Sequence, residues 1–322
     1  MEVDMRDVKL YFGPMSKNVV DSIISFVEKN NIRLGLVASR RQIDYNSGYV
    51  NNWTTKTFTQ YVRDRSKNIV ICRDHSGVGQ GTYYDNGLIS LLEDAKYMDI
   101  IHIDPWKVHH RFFSEGIQYT TEIMRTISSI NNSCLFEIGT EESILPMTVK
   151  DIEAIITCIK IPYPNLFDKI QYVVIQSGTK LENGMNVGRY NEQRLRDMID
   201  LCLKYNLLSK EHNGDYLSPV QIKNKFNLGL NAINIAPEIV HEETTYLLEN
   251  LSTKKVDAWY TLCLKNSFMW SKWFSKQFDK YDVLSLCGHY VFSHKDFSKI
   301  CDLDSISIPV SIRIHKFLQE RV

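Results

Sequence analysis

The sequence lacks an excess of charge of either sign. Its 322 residues include 38 Lys and Arg and 38 Asp and Glu, so the formal net charge is zero. Proteins that hold nucleic acid or an anionic membrane by electrostatics normally carry a basic excess. We therefore expect neither nucleic acid nor a membrane among the partners.

Long apolar runs are missing as well. No segment approaches the roughly 18 uninterrupted apolar residues of a membrane helix. The opening stretch "MEVDMRDVKL" is charged and has no apolar centre, so we expect no secretory leader. The seven cysteines have no paired spacing, which is typical of reduced thiols in a cytoplasmic protein. We therefore expect a cytoplasmic location.

What the sequence does have is a rhythm, in which short apolar runs alternate with longer amphipathic segments. We predict strands at 8–13, 33–39, 68–74, 99–105, 134–140, 171–177, 207–212 and 232–237. We predict helices at 17–30, 54–66, 86–97, 112–130, 148–159, 191–205, 219–227 and 239–251. Strands that are apolar on both faces belong in a parallel sheet covered by helices. Eight such units favour a closed (β/α)8 TIM barrel over an open doubly wound sheet.

The rhythm stops after residue 253, which divides the chain into a catalytic barrel domain, 1–253, and a C-terminal extension, 254–322. The extension is rich in aromatic residues at roughly helical spacing: Trp259, Phe268, Trp270, Trp273, Phe274 and Phe278. We predict a helical appendage that packs these side chains against the barrel. The alternative is a subunit interface, which leaves a homo-oligomer open.

Polar residues follow the carboxyl ends of the predicted strands, where barrels of this kind hold their active sites. In chain order they are Arg40, Arg41, Gln42, Asp74, His75, Asp104, Glu137, Glu141, Gln176, Ser177, Gly178, Glu211, His212, Asp215, Tyr216, Asn234 and Glu238. The histidines and carboxylates suit a divalent cation, with zinc first and manganese or another divalent ion as alternatives.

His75 and His212 are the candidate metal ligands, because they follow separate strands and have acidic neighbours. A metal there could polarise a substrate carbonyl and stabilise an enolate, while a carboxylate moves the proton. Such chemistry suits cleavage of a carbon–carbon bond beside a carbonyl, or epimerisation. The alternative is a hydrogen-bonded structural role for each ring. We interpret the other histidines as structural, including His102, which alternates with two isoleucines.

Two other kinds of chemistry are disfavoured. The stretch "GVGQG" resembles a phosphate loop but lacks the Lys-Ser/Thr ending and the GxGxxG spacing. We interpret it as a flexible turn over the site. A Schiff-base mechanism needs a lysine in the cavity, and only Lys210 lies near a predicted strand end.

Seven motifs over roughly residues 8 to 251 resemble the class II tagatose-bisphosphate aldolase group, in particular its accessory, so-called non-catalytic subunits. They are "SRRQID", "RDHSG", "HIDP", "EIGTE", "VVIQSGT", "EHNGDY" and "NIAPEI". The resemblance implies a (β/α)8 barrel that binds a sugar or sugar phosphate. It implies either a metal-dependent aldolase or ketose (phosphate) 4-epimerase working through an enediolate, or a helper of a separate class II aldolase.

Residue by residue, the resemblance implies His75 and His212 as metal ligands, with Glu141 as the third. It implies Asp74 and Asp104 as acid/base residues. A pure helper has no need of this set, so we favour the enzyme. The predicted substrate-binding residues are Arg40, Arg41, Gln176, Ser177, Gly178, Asp215 and Asn234.

The chain departs from the family at two places. Ala236 replaces a glycine, and Glu238, which follows it, would repel a phosphate placed there. Arg40 and Arg41 stand where the family is usually neutral, and could clamp a phosphate or carboxylate; the alternative is that they lie on the surface. We therefore expect a substrate other than tagatose bisphosphate.

Overall fold

The computed structural model describes residues 7–271 and 278–322. Its strands are β1 (Leu10–Phe12), β2 (Leu34–Ser39), β3 (Ile69–Ser76), β4 (Ile100–Ile103), β5 (Leu135–Gly139), β6 (Ile170–Ile175), β7 (Leu181–Glu182), β8 (Met185–Asn186), β9 (Leu208–Glu211) and β10 (Ala232–Ile235). The pair β7–β8 is a separate antiparallel hairpin. The other eight strands form a closed parallel barrel, because β1 pairs with both β10 and β2. The predicted (β/α)8 fold is confirmed.

Helices surround the barrel. They are α1 (Lys17–Asn30), α2 (Thr55–Arg63), α3 (Leu88–Tyr97), α4 (Trp106–His109), α5 (Phe113–Ile130), α6 (Val149–Lys160), α7 (Pro164–Phe167), α8 (Glu192–Lys204), α9 (Pro219–Asn227), α10 (His241–Asn250), α11 (Thr253–Lys265), α12 (Lys280–Cys287) and α13 (Ser307–Gln319). No described helix is both long enough and apolar enough to cross a membrane.

Helix starts follow from capping chemistry. Thr148 accepts a hydrogen bond from the Asp151 backbone N–H, and the Asp151 side chain accepts from the Thr148 N–H, which begins α6. Ser218 and Gln221 form the same reciprocal pair at the start of α9. Each pair satisfies backbone donors that the first helical turn leaves free.

Strand alternation separates two layers of core. Interior positions of the barrel carry Tyr11, Val37, Val70, Cys72, Ile100, Tyr172 and Ala232. The alternate positions, such as Ile69 and Ile71 on β3, join the larger apolar layer between strands and helices. Successive strand residues point to opposite faces, so this parity also fixes which polar residues face the barrel mouth.

The C-terminal helices pack directly on this body. Phe317 of α13 meets Phe12 of β1 edge to face, with ring centroids 6.3 Å apart. Among the aromatic residues singled out above, Trp259 and Trp270 are buried and Phe268 is largely exposed. Trp273 and Phe274 lie outside the described residues. The domain division at 253/254 stays a prediction.

Candidate functional site

Three imidazoles form a nearly equilateral triangle at the barrel mouth. The ring centroids of His75, His102 and His212 lie 5.0, 5.0 and 5.1 Å apart. Each of these residues and Asp74 offers a ligand atom, and all four atoms lie within 4.8 Å of one another. Nitrogen and carboxylate donors at this spacing are the set that zinc binds.

Strand parity explains why these side chains converge. Asp74 follows the interior residues Val70 and Cys72 on β3, and His102 follows Ile100 on β4. His75 breaks the alternation, because its φ of 41° is in the left-handed region that non-glycine residues rarely adopt. Asp74 and His75, although adjacent, therefore both line the same cavity. Such strain is typical of functional sites.

One nitrogen of each imidazole contacts an oxygen atom outside the triangle, which holds the ring in place. His75 Nδ1 lies 2.6 Å from Asp104 Oδ2, and His212 Nε2 lies 2.6 Å from Glu137 Oε1. His102 Nε2 lies 3.0 Å from the Gly139 carbonyl oxygen, which fixes it as a donor. Carboxylate and carbonyl partners of this kind orient histidines toward metals.

The other nitrogen of each ring points toward Asp74 or its neighbours. Asp74 Oδ1 lies 3.6 Å from His75 Nε2 and 3.8 Å from His212 Nδ1. It is buried and has no hydrogen-bond partner among the described residues. His102 Nδ1 accepts only a long 3.3 Å bond, from the His75 backbone N–H. An unsatisfied buried oxygen beside three oriented imidazoles fits a cation site.

A buried ammonium lies beneath the triangle. Lys210 Nζ is 2.7 Å from Glu137 Oε2 and 3.8 Å from the centre of the Tyr11 ring. Burial opposes ionisation of Glu137, but Lys210 and His212 outweigh it and hold the pKa of the carboxyl well below its usual range. Likewise, burial opposes a charge on His75, yet Asp74 and Asp104 raise its pKa to about 10.

A cavity of about 560 Å³ opens above the triangle, and Asp74, His75 and His212 form part of its wall. Two cations also line it, Arg41 and Lys107. Burial and the nearby Arg41 charge lower the pKa of Lys107. An anion bound between two like charges at one cavity wall would relieve their repulsion.

Three predicted substrate residues line this cavity. Arg41, Asp215 and Asn234 do so, and Asn234 Oδ1 is buried without a hydrogen-bond partner among the described residues. Glu141 lines the cavity too, but it is not one of the four clustered ligand residues; its carboxylate accepts from Ser143. His102 holds the position in the cluster that the sequence assigned to Glu141.

Arg40 does not reach the cavity. Its guanidinium is buried, with Nη2 3.0 Å from Asp44 Oδ2 and 2.7 Å from Asp85 Oδ2. It therefore ties the loop after β3 to the loop after β2. Two carboxylates neutralise the charge of Arg40, so Arg41 is the arginine of the pair that lines the cavity; a substrate role for Arg40 stays a prediction.

The three predicted substrate residues after β6 make their contacts within the fold. Gln176 accepts from the Met147 backbone N–H and donates to the Thr140 carbonyl oxygen. Ser177 donates to Glu211 and accepts from Lys225. Gly178 has a φ of 91°, and a Cβ there would meet the Arg189 carbonyl oxygen at 2.1 Å. None of the three lines the described cavity.

Asp104 lies behind His75 rather than at the cavity wall. Its Oδ2 accepts from Thr140 at 3.0 Å as well as from His75, and its Oδ1 accepts from the Trp106 backbone N–H at 3.2 Å. The side chain is fully buried. Asp104 therefore positions an imidazole and does not reach the space that a substrate would fill.

Sequence reasoning missed His102, Lys107 and the Lys210–Glu137 pair. The parity of β4 could have identified His102, because it continues the interior series from Ile100. Parity also places Glu137 and Lys210 inside, since Leu135 and Leu208 precede them on the interior faces of β5 and β9. Lys107 follows a strand by four residues and gave no such signal.

Comparison with known proteins supports the fold class, a (β/α)8 barrel with C-terminal helices. No protein-family model matches the chain, and no curated protein matches it. A crystal structure of a probable tagatose 6 phosphate kinase from Sinorhizobium meliloti 1021 superposes with a TM-score of 0.79 at 11% identity, over 97% of this chain and 98% of that one.

Two further solved structures share the fold. Fructuronate-tagaturonate epimerase UxaE from Cohnella laeviribosi has a TM-score of 0.66 at 8% identity, over 98% of this chain and 80% of that one. Fructose-bisphosphate aldolase (Fba) from Campylobacter jejuni has a TM-score of 0.58 at 12% identity, over 97% of this chain and 88% of that one. At these identities the likeness establishes the fold alone.

Proposed function

We propose that the protein is a metal-dependent enzyme of carbohydrate metabolism, an aldolase or 4-epimerase acting on a ketose or ketose derivative by retro-aldol chemistry. One observation carries the proposal: three outward-held imidazoles cluster with an unpartnered carboxylate oxygen of Asp74, and Asp74, His75 and His212 of this cluster line an open cavity. The sequence motifs that resemble class II tagatose-bisphosphate aldolases support the same assignment.

The cation would be held by His75 Nε2, His102 Nδ1 and His212 Nδ1, with zinc favoured by the donor set. When bound, such a cation supplies a Lewis acid that polarises a carbonyl and stabilises the negative charge developing beside it. The outer partners Asp104, Glu137 and the Gly139 carbonyl keep the three rings in the required orientation. Glu141, which lines the cavity, stays a prediction as a further ligand.

Asp74 is the residue we propose for proton transfer. Its Oδ1 lies within 3.8 Å of two ligand nitrogens and has no hydrogen-bond partner among the described residues. It would accept the proton of a substrate hydroxyl as the neighbouring carbon–carbon bond breaks. It would return that proton when the fragments rejoin on the same or the opposite face, giving the aldol product or its 4-epimer.

The paired cations Arg41 and Lys107 indicate that the substrate carries an anionic group. The fold neighbours named for tagatose 6 phosphate and for fructuronate and tagaturonate suggest both phosphates and carboxylates for the screen. A cytoplasmic location and self-association stay predictions, as does the alternative that the barrel assists a separate class II aldolase.

The test combines metal analysis with a substrate screen. Wild type, His212→Ala and a control, His315→Ala, are loaded with Zn²⁺ or Mn²⁺ and analysed for bound metal. His315 contacts Ser22 and Ser25, outside the cavity. Each protein is then incubated with ketohexose phosphates and ketohexuronates, and triose release and 4-epimer formation are followed by NMR.

We expect one metal per chain and turnover of a panel member in wild type and control, with both lost in His212→Ala. Equal metal content in all three proteins would contradict the metal site. A wild type that forms neither product, but raises the activity or lifetime of an added class II aldolase, would establish the helper function instead.

A further inference from the structure

The C-terminal segment supplies one wall of the cavity that the barrel opens. Leu286, Cys287, His289 and Tyr290 all line it, together with barrel residues such as Asp74 and Asn234. The hairpin β7–β8 meets this segment, since a Cβ on Gly184 would lie 2.4 Å from the Leu286 side chain. The cavity is therefore closed by the extension as well as by barrel loops.

This segment is held firmly by the extension itself. The Gly288 carbonyl oxygen accepts from the Trp259 indole N–H at 3.1 Å. A Cβ on Gly288 would come within 2.2 Å of the same indole ring. Thr244 donates to the Ser285 carbonyl oxygen at 2.9 Å. These anchors fix the backbone on either side of the wall, so its side chains are presented in a defined position.

His289 is the unusual member of the wall. Its side chain is buried, with a relative exposure of 2%, yet neither ring nitrogen has a hydrogen-bond partner among the described residues. Buried polar atoms of proteins are nearly always paired, and leaving one unpaired is unfavourable. The two unpaired nitrogens do not stabilise the fold. They would be paired if a polar ligand entered the cavity.

The surroundings of the ring select the kind of ligand. His289 packs beside Tyr49 and Tyr290, with ring centroids 5.7 and 4.5 Å away. Burial, with the nearby His241, lowers the pKa of His289 to about 3, so the ring is neutral near pH 7. A neutral imidazole offers one donor and one acceptor, and a hydroxyl group offers the same pair. An ionised group beside two aromatic rings would lack a counter-charge.

We propose that His289 is a specificity-determining residue, contributed by the C-terminal segment, that hydrogen-bonds an uncharged hydroxyl group of the sugar. The proposal rests on the function proposed above and adds to it. The metal centre would bind the carbonyl of the sugar, and the Arg41–Lys107 pair would bind its anionic group. His289 would bind a hydroxyl group elsewhere on the sugar.

The experiment compares His289→Phe with wild type on a ketose substrate from the screen and on its monodeoxy analogues. Phenylalanine keeps an aromatic ring at this position and removes both nitrogens. We expect KM or Kd for the parent sugar to rise roughly 10- to 100-fold, with metal content unchanged. For the analogue that lacks the contacted hydroxyl, wild type and variant should differ little. His289→Gln, which restores a donor and an acceptor, should recover part of the affinity.

The matched control is His294→Phe, the same replacement five residues on at a histidine outside the cavity wall, which should behave like wild type. A parallel loss for every analogue, or no loss with any sugar, would overturn the role of His289. If His289→Phe does not fold, the binding of the parent sugar and its monodeoxy analogues is compared on the wild type alone. Equal affinity for all of them would overturn the proposal. A wild type that binds and turns over no sugar defeats the proposed function itself, before any variant is made.

Discussion

Glu137 connects one imidazole of the candidate metal centre to a buried lysine. Its two oxygens contact Lys210 and His212 at 2.7 and 2.6 Å, and all three side chains are buried. Removing one partner of a buried ion pair typically costs about 3–5 kcal/mol, since the other charge stays without compensation. Loss of the Glu137 carboxylate would also leave His212 Nε2 without the group that orients its ring.

We therefore predict that Glu137→Gln lowers stability by about 3 kcal/mol or more and metal affinity by roughly 10- to 100-fold. Urea unfolding and a competitive zinc titration measure the two quantities. In the double variant Glu137→Gln/Lys210→Met the stability loss should be partly recovered, because no unpaired ammonium remains, while metal affinity should stay low. Additive stability losses would show that the pair is not coupled.

Replacing Asp104 and replacing Asp74 with asparagine should have different effects on metal binding and on turnover. Asp104 accepts from His75 and Thr140 at one oxygen and from the Trp106 N–H at the other, so an amide must turn its NH₂ toward a donor on one side. We predict that Asp104→Asn weakens metal binding by roughly 10- to 100-fold, with turnover near normal once metal saturates.

For Asp74→Asn we predict the reverse: turnover at saturating metal falls by about 10²–10⁴-fold, and metal affinity changes less than in Asp104→Asn. Metal titration followed by the NMR assay at saturation measures both. Turnover loss in Asp104→Asn at full metal occupancy would restore the catalytic role that the sequence suggested for that residue.

At single residues, the sequence predicts a functional role only where the role follows from the local chain, such as the end of a strand. Asp74 and His75 follow an apolar run, so the sequence could place them at a strand end, but the positive φ of His75 that turns both toward one cavity is visible only in the structure. Arg40 and Arg41 look equivalent in the sequence, but Arg40 pairs with Asp85, 45 residues away. No local pattern indicates such a partner, so the distinction between a buried ion pair and a cavity cation required the fold.

At the level of elements, every predicted barrel strand and surrounding helix has a counterpart, because the 2.0 and 3.6 residue periods and the capping residues are local signals. The hairpin β7–β8 was missed although its signal is present. Asn183 and Gly184 join its strands with φ of 53° and 71°, and Asn-Gly with two positive φ angles is the preferred two-residue hairpin turn. Two-residue strands are too short for a periodic pattern to find.

One contact between elements should make stability depend on pH. Glu243 of α10 is buried against the start of α1, where it accepts from Ser16 and, at 2.7 Å, from Asn18 Nδ2. Burial raises the pKa of Glu243 to about 7, although these hydrogen bonds oppose the rise. An unfolded glutamic acid titrates near 4.3. The folded state therefore binds the proton more tightly than the unfolded state.

The sign follows from linkage. The stability contributed by protonated Glu243 is complete below about pH 4.3 and is lost as pH rises through about 7. We predict that Glu243→Gln, which mimics the protonated form, is more stable than wild type at pH 8 by on the order of 2–3 kcal/mol, with little difference at pH 5. Urea unfolding at both pH values gives the comparison. Glu122→Gln on α5, an exposed glutamate, is the control; an equal pH effect in both variants would contradict the assignment.

For the whole molecule, the extension after residue 253 is both a wall of the cavity and a part of the core. Four residues of α13, Val310, Ile314, Phe317 and Leu318, are buried, as are four of α11, among them Trp259. Arg321 near the C-terminus lies 2.7 Å from Glu238, which follows β10. We therefore expect the segments on either side of the proposed boundary at 253/254 to fold as one unit.

Truncation to residues 1–253 tests this view. Fully burying one large apolar side chain contributes about 1.5–3 kcal/mol, so removing the α11 and α13 contacts costs on the order of 10 kcal/mol, comparable with the whole stability of a typical domain. We predict that the truncated chain does not fold cooperatively, as judged by near-UV circular dichroism and urea unfolding, and that it binds no zinc although every proposed ligand is retained. A milder variant, Phe317→Ala, should fold with a stability loss of about 3–5 kcal/mol and normal metal content. If residues 1–253 instead unfold cooperatively and bind zinc like wild type, the barrel is an independent domain, and the extension serves only the wall around His289.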